Sequence, residues 1–276
     1  MKTALVQLNS SDSPDDNLPV TQDLIDEAAG KGAGFVLTPE VTNCLSASRT
    51  RQEEVLRHQE DDPTLAALRA QAERRGIWVL IGSIAVKTDD VDGRFANRSF
   101  LIDPKGGIAA WYDKIHMFDV KVSETEQYRE SAGYRPGGRG VTAETPFGTV
   151  GMTVCYDLRF PGLYRRLAQA GAEILTVPSA FAVPTGEAHW ETLLRARAIE
   201  TGCYVLAPAQ TGQHSATRGK ERRTYGHSLA VGPWGDVLAD AGTDPGVIVV
   251  DVNRDEVTQA RARIPAVNCE VDITWS

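Results

Sequence analysis

Three residues have the types that covalent acyl transfer needs, and each stands where an apolar run breaks into polar sequence. Cys155 follows Gly151-Met152-Thr153-Val154, Glu40 follows Phe35-Val36-Leu37-Thr38-Pro39, and Lys114 follows Trp111-Tyr112-Asp113. A thiol supplies a nucleophile, a carboxylate takes its proton, and a fixed cation steadies the oxyanion that develops on attack. A free thiol has a pKa of about 8.5 and is mostly protonated at neutral pH. A nearby lysine favours the thiolate and a nearby glutamate disfavours it, so Glu40 is suited to accept the proton during attack. Taken singly, each residue has a plainer role. Cys155 reads as a small buried hydrophobe, Glu40 as a helix cap and Lys114 as an edge charge paired with Asp113.

The surrounding elements must bring these ends together. Ala4–Leu8 reads as a short strand, followed by a helix entered through Asp12–Asn17 and stopped by Gly30–Gly34. Phe35-Val36-Leu37 is a buried strand leading to Glu40. Helices are expected near 50–60 and over Asp62–Arg75, then a strand from Ile77 to Ile84 too apolar to be exposed. Phe95–Asp103 and Ile108–Tyr112 flank Pro104-Lys105-Gly106-Gly107, a hairpin signal that delivers Lys114. Residues 113–145 have no clear period, and a loop that long in a compact domain is usually functional or disordered. The cysteine strand starts near Phe147, and Pro161 is well placed to start the helix that follows. A thiol between a buried strand and a helix sits where open α/β sheets place their ligand crevices.

Further on, Glu173–Pro178 and Cys203–Pro208 read as strands around a helix ending at Thr201, stopped by Gly202. Residues 211–223 read as a basic polar loop. Tyr225–Val231, Val237–Ala239 and Val247–Val252 read as a meander before a last helix over Arg254–Arg263. Strand–helix units at both ends of the chain, with hairpins between, fit one layered α/β domain with a mixed sheet.

Composition narrows the function classes. The 276 residues carry 37 acidic and 29 basic side chains, a net charge of −8, which argues against a nucleic-acid partner. No segment reaches the roughly 18–20 apolar residues of a membrane span, and no signal peptide is seen at Met1. Cys44, Cys155, Cys203 and Cys269 are widely spaced without a CxxC pair, which fits a reduced, cytoplasmic protein. Nucleotide-loop and metal-site patterns are missing.

Thr38-Pro39-Glu40, Tyr112-Asp113-Lys114-Ile115-His116-Met117-Phe118-Asp119 and Val154-Cys155-Tyr156-Asp157-Leu158-Arg159-Phe160-Pro161 resemble, in order and spacing, the three signature motifs of the nitrilase superfamily of carbon–nitrogen hydrolases. The similarity runs from Ala4 to about Pro265. It implies a four-layer αββα sandwich in a single domain over residues 1–265, with 266–276 as a C-terminal tail. It further implies hydrolysis of amides, carbamoyl compounds or nitriles without metal or cofactor. Carried onto this chain, Cys155 is the nucleophile, Glu40 the general base and Lys114 the electrostatic stabiliser. The superfamily's second glutamate precedes a Pro-Gly pair. Glu124, Glu126 and Glu130 compete for that role, and Glu130, six residues before Pro136-Gly137, fits best. The Tyr156 backbone N–H is then expected as an oxyanion donor.

Pro178-Ser179-Ala180-Phe181, Thr185-Gly186 with Ala188-His189-Trp190-Glu191, and Tyr225-Gly226-His227-Ser228 are similar to the Nit branch, which holds the deaminated-glutathione amidases and the ω-amidases. The Ser-Ala-Phe triplet and Tyr-Gly-His-Ser lean toward the former, with Ser179 and Phe181 expected at the substrate. Both substrate types end in a 2-oxo acid, so a cationic pocket is required; Arg159 is the first candidate, and Arg218, Lys220, Arg222 and Arg223 could steer an acidic substrate. The alternatives are an ω-amidase acting on α-ketoglutaramate, an N-carbamoyl amino acid amidohydrolase, a nitrilase, a Cys–His hydrolase with His116 or His227 as base, and a catalytically silent scaffold. A homodimer or higher homo-oligomer is expected, although the Asn268–Ser276 end lacks the basic segment common in Nit-type chains.

Overall fold

The structure, a computed structural model, describes residues 1–121, 127–269 and 274. The first half of the chain runs β1 (Lys2–Gln7), α1 (Pro14–Gly30), β2 (Phe35–Leu37), α2 (Arg49–Val55), α3 (Pro63–Arg75), β3 (Trp78–Val86), β4 (Ala96–Ile102) and β5 (Ile108–Asp113). Next come β6 (Asp119–Lys121), β7 (Gln127–Arg129), β8 (Val141–Thr145), β9 (Gly148–Met152), α4 (Pro161–Gln169), β10 (Ile174–Thr176) and α5 (Val183–Thr201). The chain continues through β11 (Tyr204–Ala207), β12 (Thr211–His214), β13 (Arg222–Tyr225), β14 (Leu229–Val231), β15 (Val237–Asp240), β16 (Gly246–Asp251) and α6 (Arg254–Arg263).

Two six-stranded sheets result, in the orders β16-β1-β2-β3-β4-β5 and β15-β14-β11-β10-β9-β8. Each has three parallel strands at its centre, β1-β2-β3 in one and β9-β10-β11 in the other, flanked by antiparallel strands. The period-2 pleat explains why both faces of the first sheet are apolar. Leu5, Leu37 and Leu80 meet Met152, Leu175 and Val205 of the second sheet, while Ala4, Val36 and Val79 lie against Ile25, Leu65 and Leu68 of α1 and α3. Tyr164 and Leu167 of α4 and Trp190 and Leu194 of α5 cover the other side of the second sheet. Each such buried side chain contributes roughly 1.5–3 kcal/mol relative to exposure, which holds the four αββα layers together. Among the described residues, no helix is long and apolar enough to cross a membrane.

Three local expectations need correction. The supposed loop over 211–223 contains a hairpin, with β12 paired antiparallel to β13. The continuous strand expected from Tyr225 is broken at Gly226 and His227, both in the left-handed region at φ 78° and 54°, before β14 begins. The irregular stretch before the cysteine strand holds the β6–β7 pair and β8, which runs back along β9. These strands are short and polar, so no apolar alternation marks them. Beyond Pro265, residues Ala266–Asn268 form a 3-10 turn with Val267 buried, and Gln169 of α4 donates to the Val267 carbonyl.

Candidate active site

The segments that end in Glu40, Lys114 and Cys155 converge at one edge of the sandwich. Past β2, Thr38 N–H donates to the Leu80 carbonyl, and Val41 turns the chain with φ 49°. A Cβ on Gly82 would lie 1.9 Å from the Thr38 carbonyl oxygen and 2.5 Å from Pro178 Cβ. Glycine therefore lets β3 approach the Glu40 segment and the chain beside Cys155 together. Lys114 leaves β5 with its N–H on the Asn97 carbonyl at 3.0 Å and its carbonyl accepting from Gly137 at 2.7 Å. Asp113 does not pair with it. That carboxylate takes a two-pronged contact from Arg98 at 2.6 and 2.9 Å. Cys155 lies three residues past β9 with φ 48°, its N–H donating to the Pro178 carbonyl at 2.9 Å. Left-handed backbone at a non-glycine residue costs of order 1–3 kcal/mol, and here the flanking hydrogen bonds hold it. A 3-10 turn over Cys155–Arg159 follows, and Pro161 starts α4 as its fixed φ favours.

The side chains form one continuous network. Lys114 Nζ is 2.9 Å from Glu40 Oε1 and 2.9 Å from both carboxylate oxygens of Glu130. Glu40 Oε2 accepts from the Ala180 N–H at 2.9 Å, and the Glu40 carboxylate stands close enough to the Cys155 thiol for its charge to act on it. Glu130 also accepts from the Phe118 N–H at 2.6 Å. Of the three competing glutamates, Glu130 stands in this network, whereas Glu124 and Glu126 lie outside the described residues. Among the described residues no protein acceptor takes the Tyr156 N–H, while its neighbours Cys155 and Asp157 donate to Pro178 and Val154.

Burial sets the electrostatics. It would push the Glu40 carboxyl up, but the charge and hydrogen bond of Lys114, helped by Arg222, hold it below the ordinary carboxylate range. The same burial would lower Lys114, yet the charges of Glu130 and Glu40 keep it well above its usual value. The Cys155 thiol is pushed up by burial and by the negative Glu40. At neutral pH the resting site is thus an ionised glutamate beside a neutral thiol and an ammonium. Such a site can move a proton from sulfur to carboxylate as the sulfur attacks.

Two residues of this centre escaped the sequence reading. Asn97 Nδ2 donates to Glu40 Oε1 at 2.9 Å and reaches Glu130 Oε1 at 3.4 Å, so it spans both carboxylates. Its one sequence signal is a polar side chain in the strand paired with the lysine strand. Asp157 is fully buried and accepts from Tyr112 Oη at 2.7 Å, Val154 N–H at 2.9 Å and His116 N–H at 3.1 Å, with His116 Nδ1 2.7 Å away. It ties the cysteine turn to the residues on either side of Lys114.

Above the network opens a cavity of about 810 Å³. Among the described residues its wall carries six basic ones (Arg49, Lys114, Arg129, Lys220, Arg222 and Arg223) against three acidic ones, Glu40, Glu130 and Glu221. In a chain of net charge −8, this local excess of cations marks a place for an anion. Tyr156 and Phe181 line the cavity as expected, but Arg159 and Ser179 do not. The Arg159 guanidinium lies over the Phe181 ring at 5.3 Å, with Nη1 3.3 Å from His189 Nδ1, so the aromatic ring stands between it and the cavity. Ser179 is fully buried and spends its hydroxyl on the Val177 carbonyl at 2.9 Å. Arg218, expected with the other loop cations, instead pairs with Glu54 at 2.6 Å. The two histidines weighed as bases are engaged elsewhere. His116 meets Asp157 and stacks on Phe160, and His227 lies 3.0 Å from Asp240.

Comparison with known proteins agrees with this geometry. The carbon–nitrogen hydrolase family model matches residues 2–262. A deaminated glutathione amidase of Yersinia enterocolitica is 41% identical over 263 residues, covering 95% of this chain and 90% of its own length. The Caenorhabditis elegans NitFhit protein superposes with a TM-score of 0.88 at 33% identity, over 96% of this chain and 63% of that one. An amidase from Nesterenkonia sp. AN1 superposes with a TM-score of 0.77 at 26% identity, over 96% of this chain and 98% of its own. Its glutamate-to-glutamine variant carries the product of Michael addition of acrylamide at the active-site cysteine. The chain therefore belongs to the carbon–nitrogen hydrolase family of the nitrilase superfamily and is an amidase acting on C–N bonds other than peptide bonds.

Proposed function

We propose that this amidase hydrolyses a small amide carrying a carboxylate, of the 2-oxo acid type represented by deaminated glutathione, through an acyl thioester on Cys155. One observation carries the reading: Glu40 pairs with Lys114 at 2.9 Å beside the Cys155 thiol, at the floor of a cavity whose described charged residues are mostly basic. The relatives named deaminated glutathione amidase support the substrate type.

The steps balance within these groups and water. Sulfur attacks the amide carbon as its proton passes to Glu40. The oxyanion forms between Lys114 Nζ and the Tyr156 N–H, and a donor of this kind is worth about 10²–10³ in rate. Glu40 then hands the proton to the departing amine, the C–N bond breaks, and the thioester remains. Water, deprotonated by Glu40, attacks the thioester and releases the acid and the thiol. Glu130 and Asn97 position Lys114 and Glu40 and do not exchange protons with the substrate. No metal or cofactor enters any step. A catalytic domain over residues 1–265, a cytoplasmic setting and assembly as a homodimer or higher homo-oligomer belong to the same reading. Free cysteines support the second, and apolar Ile199, Trp234 and Ile264, each about half exposed, support the third.

The test compares kcat/KM for deaminated glutathione, α-ketoglutaramate, N-carbamoyl amino acids and aliphatic nitriles. The 2-oxo amides are expected to lead, with deaminated glutathione first; preference for carbamoyl compounds or nitriles refutes the substrate assignment. Glu40→Gln is expected to lower turnover about 10²–10⁴-fold. Mass spectrometry of quenched wild type is expected to show the acyl group on the peptide bearing Cys155. Turnover without an acyl adduct, or an active Glu40→Gln, defeats the mechanism.

A further inference from the structure

The cations of the cavity wall are not equivalent. Arg129, Lys220 and Arg223 are exposed, where a charge steers a ligand but binds it weakly. Arg49 is spent on Glu53 and on the carbonyls of Gly93 and Gly133, and Lys114 is held by two glutamates. Arg222 differs from all of these. It is half-buried on β13, where the alternation of the strand puts it on the same face as Thr224, which is buried against His214. Among the described residues no carboxylate lies within ion-pair distance of its guanidinium, and its Nε is buried without an acceptor. One of its other nitrogens, Nη2, donates to the Ala180 carbonyl, and the N–H of that same residue donates to Glu40. The guanidinium therefore stands one residue away from the base, close enough for its charge to act on Glu40. The Tyr128 ring lies 5.3 Å from it and helps to fix its plane.

An arginine has five N–H donors in a planar fork that matches a carboxylate. Leaving the charge and the remaining donors of a half-buried fork unpaired is costly, and the anion that relieves the cost is one bound in the cavity. We propose that Arg222, rather than Arg159, is the specificity residue that takes the substrate's carboxylate, so that the cavity selects amides with an acid group at their far end. The proposal rests on the amidase reading above and adds the residue that reads the charge.

Succinamate and butyramide differ only in a carboxylate replacing a methyl, and neither has a 2-oxo group, so the pair tests the carboxylate alone. In Arg222→Gln, kcat/KM for succinamate is expected to fall about 30-fold or more, mainly through KM. That loss should exceed the loss on butyramide by at least about tenfold, and Arg222→Lys should recover part of it because charge without the fork is retained. Equal losses on the two amides overturn the proposal, because Arg222 would then act through Ala180 and Glu40. A second arm needs no turnover: calorimetric binding of succinate is expected to weaken at least about tenfold in Arg222→Gln and by less in Arg222→Lys, in proportion to their succinamate losses. Unchanged succinate affinity overturns the proposal even if 2-oxo amides prove to be poor substrates. Poor turnover of 2-oxo amides with Arg222-dependent succinate binding would sink only the substrate assignment. Thermal midpoints of the variants confirm that each is folded.

Discussion

Replacing Asp157 with asparagine tests whether the cysteine turn and the lysine strand are held as one unit. Its carboxylate is fully buried and faces partners on both oxygens, Tyr112 Oη and Val154 N–H on Oδ2 and the backbone N–H and ring Nδ1 of His116 on Oδ1. An asparagine can serve one side with its carbonyl oxygen, but then presents N–H groups to the donors on the other. Two hydrogen bonds to a charged acceptor are lost, each worth about 1.5–3 kcal/mol, and the donors left behind are buried. A total of about 3–5 kcal/mol follows, the range for breaking a buried charged contact. For a chain of this size about 2–4 °C accompanies each kcal/mol, so the thermal midpoint should fall by about 6–20 °C. Because Tyr112 and His116 bracket Lys114, the same change should move the ammonium relative to Cys155. A displacement of about 1 Å can lower kcat by about 10²-fold. The assay is urea unfolding of wild type and Asp157→Asn beside kcat measured on folded protein well below the transition. A variant within about 1 kcal/mol of wild type and within a few-fold in kcat would falsify the claim that Asp157 couples the two segments.

Two further outcomes follow from the same geometry. Gly82→Ala brings a Cβ to 1.9 Å from the Thr38 carbonyl oxygen and 2.5 Å from Pro178 Cβ, so either β3 or both catalytic segments must shift. Overpacking of this kind costs about 1–3 kcal/mol or more, and both the denaturation midpoint and the acylation rate of Cys155 should drop; an unchanged acylation rate refutes the role of this contact. The second outcome concerns acid. Glu40 lies below its ordinary value of 4.5 in the folded protein, so its contribution is present above 4.5 and is lost as pH falls through the folded value. The stability difference between wild type and Glu40→Gln should therefore narrow as pH is lowered from neutral to below 4.5, read from urea midpoints at each pH. A difference that stays constant or widens contradicts a depressed Glu40.

Much of the site was legible without coordinates because its chemistry sits at the ends of strongly apolar runs. Phe35-Val36-Leu37 and Gly148–Met152 announce themselves as buried strands, so the polar residues just beyond them stand out. Pro161 and Gly202 mark helix ends through backbone constraints that depend on no partner. The β12–β13 hairpin was not legible for the converse reason. Its strand β13 turns charged side chains to the cavity and packs against α5, so Arg222-Arg223-Thr224 reads like solvated loop.

By itself the sequence determined the layered α/β class and singled out Glu40, Lys114 and Cys155 as candidates, while the preference for Glu130 came from the resemblance to the superfamily motifs and their order. Those are properties of local pattern and order along the chain. Only the tertiary structure decided which groups stand beside the trio. Asn97 reaches Glu40 across 57 positions through strands of one sheet, and the Ala180 N–H reaches it across 140 because the second sheet packs on the first. The same packing placed the Phe181 ring in front of Arg159 and left Arg222 facing the cavity without an acid of its own among the described residues. Which of several arginines meets an anion depends on burial and on the partners already taken, and neither quantity is written in the order of residues.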